Sequence, residues 1–158
     1  MHAVSREDFT LWRASHGYKP RVWTHHATCV TPLRRLPWFV GEILAASGPL
    51  KEAGVSVKVV LPATQTLELR ARHGISEPLG TTPCHLATEA AEMQSLLLAV
   101  FADPIDFTFF PVPKSFVLLA DHDEYTTIFG MSQSSVNRLL GRLRQGEVQV
   151  VEHEPEQP

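Results

Sequence analysis

Cysteine is scarce in this chain, which has only Cys29 and Cys84 among 158 residues. Two cysteines form at most one disulfide bond, so a disulfide-stapled scaffold is excluded. Long apolar runs are also missing, because the longest, residues 96–102, is far shorter than the roughly 20 residues of a spanning helix. Residues 1–10 contain charged side chains and no apolar stretch typical of a secretory signal. We therefore expect a cytoplasmic protein with two reduced cysteines and no membrane contact.

Neither sign of charge dominates, since the chain has 14 Lys and Arg residues and 17 Asp and Glu residues, which gives a formal net charge of -3. A hydrophobic content of 44% is typical of a folded chain and not of a disordered one. The length is that of one ordinary domain. We expect a single domain over residues 1–151, followed by a mobile tail, residues 152–158, that is rich in acids and proline.

Prolines and glycines divide the chain into periodic segments, which predict the order α-β-α-β-α-α-β-β-β-α-β. The predicted helices cover residues 5–16, 37–48, 66–73, 83–102 and 132–146. The predicted strands cover residues 21–30, 55–61, 105–112, 115–120, 125–129 and 147–151. This order indicates an α+β fold, with a mixed, largely antiparallel sheet and helices mainly on one of its faces.

Cys84 and His85 form the first candidate site. Thr82 and Pro83 are typical of a helix start, which would place both residues in the first turn. Free amide groups and the helix dipole would there favour a thiolate at Cys84 and a neutral imidazole at His85. Cys84 is then a candidate nucleophile, and His85 a candidate base or metal ligand. The alternative is that Cys84 is a small packing residue and His85 a surface residue.

The second candidate site is a predicted hairpin turn, in which Asp121, His122, Asp123 and Glu124 follow one another. Such a turn can bind a cation or supply an acid or base to a neighbouring cleft. We therefore assign His122 as a candidate general base or metal ligand at a catalytic site, with Asp121 or Asp123 as the carboxylate that orients an imidazole. The alternative is a solvated turn, in which the aspartates make only local hydrogen bonds.

Histidines are numerous, with eight in the chain, and two of them, His25 and His26, point to opposite faces of a predicted strand. No spacing of a defined metal motif is present. A divalent metal ion is nevertheless a candidate ligand if the scattered residues converge, and no other cofactor is indicated. The candidate metal ligands are His25, His26, His85, His122 and Asp123.

Residues 123–144 carry a competing motif, because their apolar positions and Gly130 have the spacing of a helix-turn-helix. In that interpretation Gln133, Asn137 and Arg138 would read bases, and Arg142 would contact phosphate. Against it, residues 125–129 favour β-structure, and the surrounding charges balance. We therefore expect residues 125–129 to be extended and paired with residues 115–120.

The leading hypothesis is a protein that binds a ligand, a metal ion or a protein partner, and whose catalytic form would be a small enzyme with a Cys/His/Asp site. One alternative is a DNA-binding regulator with a helix-turn-helix at residues 123–144. A second alternative is a non-catalytic interaction protein of the inhibitor or immunity type, whose acidic turn meets a basic partner. The charge balance favours a small molecule or a protein over nucleic acid as the partner.

Overall fold

The computed structural model describes residues 1–19, 23–58 and 62–152. Over these residues the chain forms five α-helices, eight β-strands and a short 3₁₀ helix at Leu33–Arg35. The helices are α1 (Arg6–Ser15), α2 (Leu36–Ser47), α3 (Thr64–Arg72), α4 (Ala90–Ala102) and α5 (Gln133–Gln145). The strands are β1 (His2–Val4), β2 (His25–Val30), β3 (Glu52–Lys58), β4 (Cys84–Ala87), β5 (Asp106–Val112), β6 (Val117–Ala120), β7 (Tyr125–Gly130) and β8 (Val150–Val151).

All eight strands belong to one sheet with the order β1-β4-β3-β5-β6-β7-β2-β8. Every pairing between the described strands is antiparallel, whereas the sequence predicted a mixed sheet. Strands β5, β6 and β7 form the predicted meander, in which Phe107 pairs with Ala120 and Leu118 pairs with Ile128. The predicted α+β class is confirmed.

Two apolar layers cover the sheet. On one face, α2, α4 and α5 bury Phe39, Leu97 and Leu139 against the strands in the larger core. On the other face, α1 packs Phe9 in a smaller aromatic cluster. Gly54 lets α1 approach closely, since a Cβ atom there would lie 2.6 Å from the Trp12 ring. The prediction that most helices share one face is therefore confirmed.

Two helix starts are capped by serine side chains. Ser5 Oγ accepts a hydrogen bond from the Asp8 amide at 3.1 Å, and Ser132 Oγ accepts one from the Ser135 amide at 3.3 Å. These bonds satisfy amide groups that have no partner within a helix. Ser5 and Ser132 are also the first residues of the helices predicted at residues 5–16 and 132–146.

Helix α3 is capped from a distant part of the chain. Ala63 precedes α3 and has no side chain that can accept a hydrogen bond. The carboxylate of Asp103, just after α4, instead accepts from the amides of Gln65 and Thr66 at 2.9 and 2.8 Å. The end of α4 is thus fixed to the beginning of α3.

The predicted helix over residues 83–102 is wrong at its start, because Cys84–Ala87 forms strand β4 and α4 begins at Ala90. β4 lies between β1 and β3 and pairs with both, so contacts distant in sequence outweigh the helical spacing. The observed start of α4 at Ala90 also has a sequence signal, the acidic Glu92 in its first turn. A carboxylate there interacts favourably with the helix dipole, and Glu92 Oε2 accepts from the Thr88 amide at 3.3 Å.

The helix-turn-helix interpretation is wrong at its first helix, because residues 125–130 form β7 within the sheet. The expectation that these residues are extended and paired with β6 is confirmed. Gln133, Asn137 and Arg138 are exposed on α5, as that interpretation required, but Gln133 donates to Asn137 at 3.0 Å. Arg142 pairs with Glu42 at 2.5 Å. Without a first helix, these side chains have no helix-turn-helix geometry.

Several predicted segments extend beyond the described residues. These are residues 21–22 and 59–61 of two predicted strands and residues 153–158 of the tail, so the tail stays a prediction. None of the helices over the described residues has the length and apolar character needed to cross a membrane.

The burial of Leu97 in the larger core generates a test of this architecture. Replacing Leu97 with alanine should lower the free energy of unfolding by about 2 to 5 kcal/mol, because it leaves a cavity under α4. Denaturant unfolding measures this change. Leu11→Ala is the matched control, since Leu11 is 65% exposed and should change stability by only about 0.5 kcal/mol. Equal losses in the two variants would contradict the assignment of the buried face.

Candidate functional site

A pocket of about 130 Å³ opens between the end of α4, the turn joining β6 to β7 and the segment after β2. Its buried lining is largely apolar, with Val100, Phe101, Ile105, Phe107 and Ala120, and it also includes the buried polar residues Thr31 and Asp103. Its exposed and half-exposed lining includes Leu33, Ala102, Pro104, Asp121, His122 and Glu124. The predicted hairpin turn therefore forms the polar mouth of a largely apolar pocket.

The turn itself is held by hydrogen bonds to its own backbone. Asp121 Oδ1 accepts from the amides of Asp123 and Tyr125 at 3.1 and 2.9 Å. Glu124 adopts a positive φ of 66°, and its carbonyl accepts from the Thr31 amide at 2.7 Å. These bonds fix the turn against the segment after β2, so the mouth of the pocket has a defined shape.

His122 is oriented by Asp106, at the start of β5. The Nδ1 atom of His122 lies 2.8 Å from Asp106 Oδ1, which also accepts from the His122 amide at 2.9 Å. This hydrogen bond and the charge of Asp106 raise the pKa of His122, and the charges of Asp123 and Asp121 act in the same direction. Because the carboxylate accepts at Nδ1, Nε2 is left to exchange a proton or bind a ligand.

Cys84 lies in β4 rather than at a helix start, so the dipole argument for a thiolate is wrong. Its side chain is buried, and Sγ donates to Ser56 Oγ at 3.5 Å. Burial raises the pKa of Cys84. Burial likewise raises the pKa of Cys29 to about 12, and both cysteines are free. The environment of Cys84 is that of a packed thiol and not of an activated nucleophile.

His85 faces the opposite side of β4 and is fully buried against Arg70 of α3. Arg70 Nη1 lies 2.7 Å from His85 Nε2, and the guanidinium also donates to the Thr82 and Glu77 carbonyls at 2.8 and 2.6 Å. Burial and the Arg70 charge lower the pKa of His85 to about 3. The sequence therefore predicted a neutral imidazole for the wrong reason. Its position ties α3 to β4, and it does not line the pocket.

The five candidate metal ligands do not converge. His25 is half-buried, and His26 is exposed, with its ring 6.0 Å from that of Phe129. His122 and Asp123 share the turn, but His85 is enclosed beside Arg70. Within residues 1–19, 23–58 and 62–152, no group of three or more His, Cys, Asp or Glu side chains is arranged to hold a metal ion.

Sequence reasoning missed Asp106, which orients the imidazole, and Arg70, which holds His85. A signal for Asp106 was present, because an antiparallel pairing of Phe107 with Ala120 brings it to the predicted turn. Arg70 had no such signal, since a lone arginine in a predicted helix is usually solvated.

Comparison with known proteins gave no match to a family model, a curated protein or a solved structure. The functional conclusion therefore depends on the chemistry of the pocket itself.

The His122–Asp106 contact generates a direct test. Asp106→Asn should lower the pKa of His122, because it removes the negative charge and the carboxylate acceptor at Nδ1. An NMR titration of the imidazole ring protons measures this pKa. Asp123→Asn is the control, and it should lower the pKa less, because Asp123 lies 3.8 Å from Nε2 and is exposed. A pKa unchanged by Asp106→Asn would disprove the orienting contact.

The buried His85 predicts a loss of stability in acid. Its pKa falls from 6.5 in the unfolded chain to about 3 in the folded protein, so unfolding takes up a proton between these values. The free energy of unfolding should fall as the pH drops from about 6.5 toward 3, by on the order of 4 kcal/mol over the full range.

His85→Gln should flatten this pH dependence while lowering stability at neutral pH. Urea unfolding between about pH 4 and 7 measures both effects. His26→Gln is the matched control, because His26 is exposed. This variant should show the same pH dependence of the free energy of unfolding as the wild type. An unchanged profile in His85→Gln would show that other groups cause the acid sensitivity.

Proposed function

We propose that the protein is a binding protein whose pocket accepts a cationic group carried on a short apolar stem. The observation that carries this proposal is the placement of Asp121 and Glu124 at the mouth of a pocket whose buried lining is largely apolar. An ammonium or guanidinium group would lie between these carboxylates, while its stem would be buried near Phe101 and Ile105.

The charge at the mouth stays negative when His122 is protonated. A protonated His122 forms an ion pair with Asp106, because Nδ1 and Oδ1 lie 2.8 Å apart. Asp121 and Glu124 then remain as uncompensated lining charges. Both protonation states of His122 are thus compatible with a bound cation.

The volume of the pocket limits the ligand. Pockets for drug-sized ligands enclose roughly 300 to 1,000 Å³, whereas a cavity of roughly 150 Å³ accepts benzene. At about 130 Å³, this pocket is suited to a group the size of one amino-acid side chain. The ligand is a small amine or a lysine or arginine side chain of a partner protein. Binding of a partner's lysine or arginine side chain would make the protein a non-catalytic interaction protein, which is the second alternative named in the sequence analysis.

Proton transfer in the same pocket is a second candidate function, favoured by the Asp106–His122 pair. A carboxylate that holds Nδ1 keeps Nε2 available as a general base. A substrate proton would have to come within roughly 2.6 to 3.2 Å of Nε2. In this function His122 is the base, Asp106 is the positioning residue, and Cys84 takes no part.

A pair of small probes tests the binding function. Benzylammonium should bind, and neutral benzyl alcohol should bind several-fold more weakly, because only the ammonium group gains from the acidic mouth. Changes in the backbone amide NMR shifts of Thr31, Ala102 and Ala120 measure binding at the pocket.

Glu124→Gln should weaken benzylammonium binding several-fold without changing the turn. Glu147→Gln is the matched control, since Glu147 is also exposed, has a positive φ of 59° and lies outside the pocket. Equal affinity for the two probes, or equal effects of the two variants, would contradict recognition of a cation.

A further inference from the structure

A second hollow, of about 460 Å³, lies beside the pocket between α2, α3 and α4. Leu36 lines it from α2, and Leu69 and Arg72 line it from α3. Between them α4 contributes the half-buried Leu98 and the small side chains of Ser95 and Ala99. We call this hollow the helix cleft. It is bounded at its sides by α2 and α3 and underneath by α4.

The direction of the helix cleft follows from the cap on α3. Because Asp103 binds the amides of Gln65 and Thr66, α3 begins where α4 ends. Gln65 and Arg72 are seven residues apart on α3, which corresponds to about 10 Å at 1.5 Å per residue. The same spacing separates Ser95 from Ala102 on α4. The helix cleft therefore extends about 10 Å from the Asp103 end toward Arg72.

The helix cleft and the pocket are neighbours that share two lining residues, Leu33 and Ala102. Leu33 is apolar but 43% exposed, so the ridge between the two hollows is itself an apolar surface. A ligand that crosses this ridge would touch both hollows. The two hollows together form one continuous surface.

The two ends of this surface carry opposite charge. The pocket end carries Asp121 and Glu124, whereas Arg72 is the charged side chain lining the helix cleft. The Arg72 side chain is 71% exposed and pairs with the exposed Glu68 at 3.5 Å. Exposed ion pairs of this kind contribute little to stability. Arg72 can therefore pair with another carboxylate with little loss of folding free energy.

We propose that this surface binds an amphipathic helix of a partner protein, with a basic side chain in the pocket and an acidic side chain at Arg72. The cationic end of this proposal rests on the proposed function of the pocket. A cleft of about 10 Å matches about two helical turns, so apolar side chains at positions i, i+3 or i+4 and i+7 would lie along it. Leu98, half-buried on α4, offers these side chains an apolar contact beside the small Ser95 and Ala99.

Synthetic helical peptides of about 14 residues test the charge pattern. One peptide carries this apolar stripe with lysine at one end and glutamate at the other, and the second carries glutamate at both ends. Fluorescence anisotropy of labelled peptides should show the lysine–glutamate peptide binding at least about fivefold more tightly. No binding of that peptide to the wild-type protein, or equal affinity for both peptides, would overturn the proposal.

Ser95→Phe places a bulky side chain in the helix cleft and should weaken peptide binding at least about tenfold. Ser134→Phe makes the same change at an exposed position of α5 and should leave affinity unchanged. Arg72→Gln should remove the contribution of the peptide's glutamate, whereas Arg144→Gln, on α5, should not. Circular dichroism confirms that each variant is folded.

Benzylammonium binding to the same variants separates this proposal from the function of the pocket. Ser95 and Arg72 do not line the pocket, so Ser95→Phe and Arg72→Gln should bind benzylammonium as the wild type does. Peptide affinity unchanged by Ser95→Phe would overturn the helix cleft while leaving the pocket function intact. A wild-type protein that fails to bind benzylammonium would instead overturn the pocket function.

Discussion

The carboxylate of Asp103 is the contact on which both hollows depend. It is 7% exposed, and it accepts two amide hydrogen bonds at the positive end of the α3 dipole. Ala63 offers no cap of its own, so α3 would lose this anchor without Asp103. Asp103 itself lines the pocket, while α3 forms one wall of the helix cleft. One side chain therefore fixes the relative position of the two hollows.

Local signals were enough to predict most of the fold. The helices predicted at residues 5–16 and 132–146 begin at the serines that cap α1 and α5. The strand predicted at residues 55–61 overlaps β3, where Val55 and Val57 are buried while Lys58 is exposed. β1 and β4 were missed, because they pair with each other across about 80 residues of chain. β4 is buried at all four positions and therefore shows no alternation of apolar and polar residues. A strand of this kind is recognisable only after its neighbours are placed.

The candidate site was predicted only in part, for a similar reason. Composition alone drew attention to the turn at residues 121–124, because three carboxylates and an imidazole are rarely adjacent. The partner of His122 lies 16 residues earlier and reaches it through the β5–β6 register. The surroundings of His85 depend on a helix and a loop whose packing no local pattern encodes. Acidic residues in a turn can thus be found by composition, but the groups that orient them cannot.

The two outer strands of the sheet have a consequence for self-association. β1 has three residues and β8 has two, whereas the inner strands β3 and β5 have seven each. An edge strand exposes unpaired amide and carbonyl groups to which another chain can add in β-pairing. The short strands β1 and β8 offer few such groups, so these two strands present little template to which another chain can add.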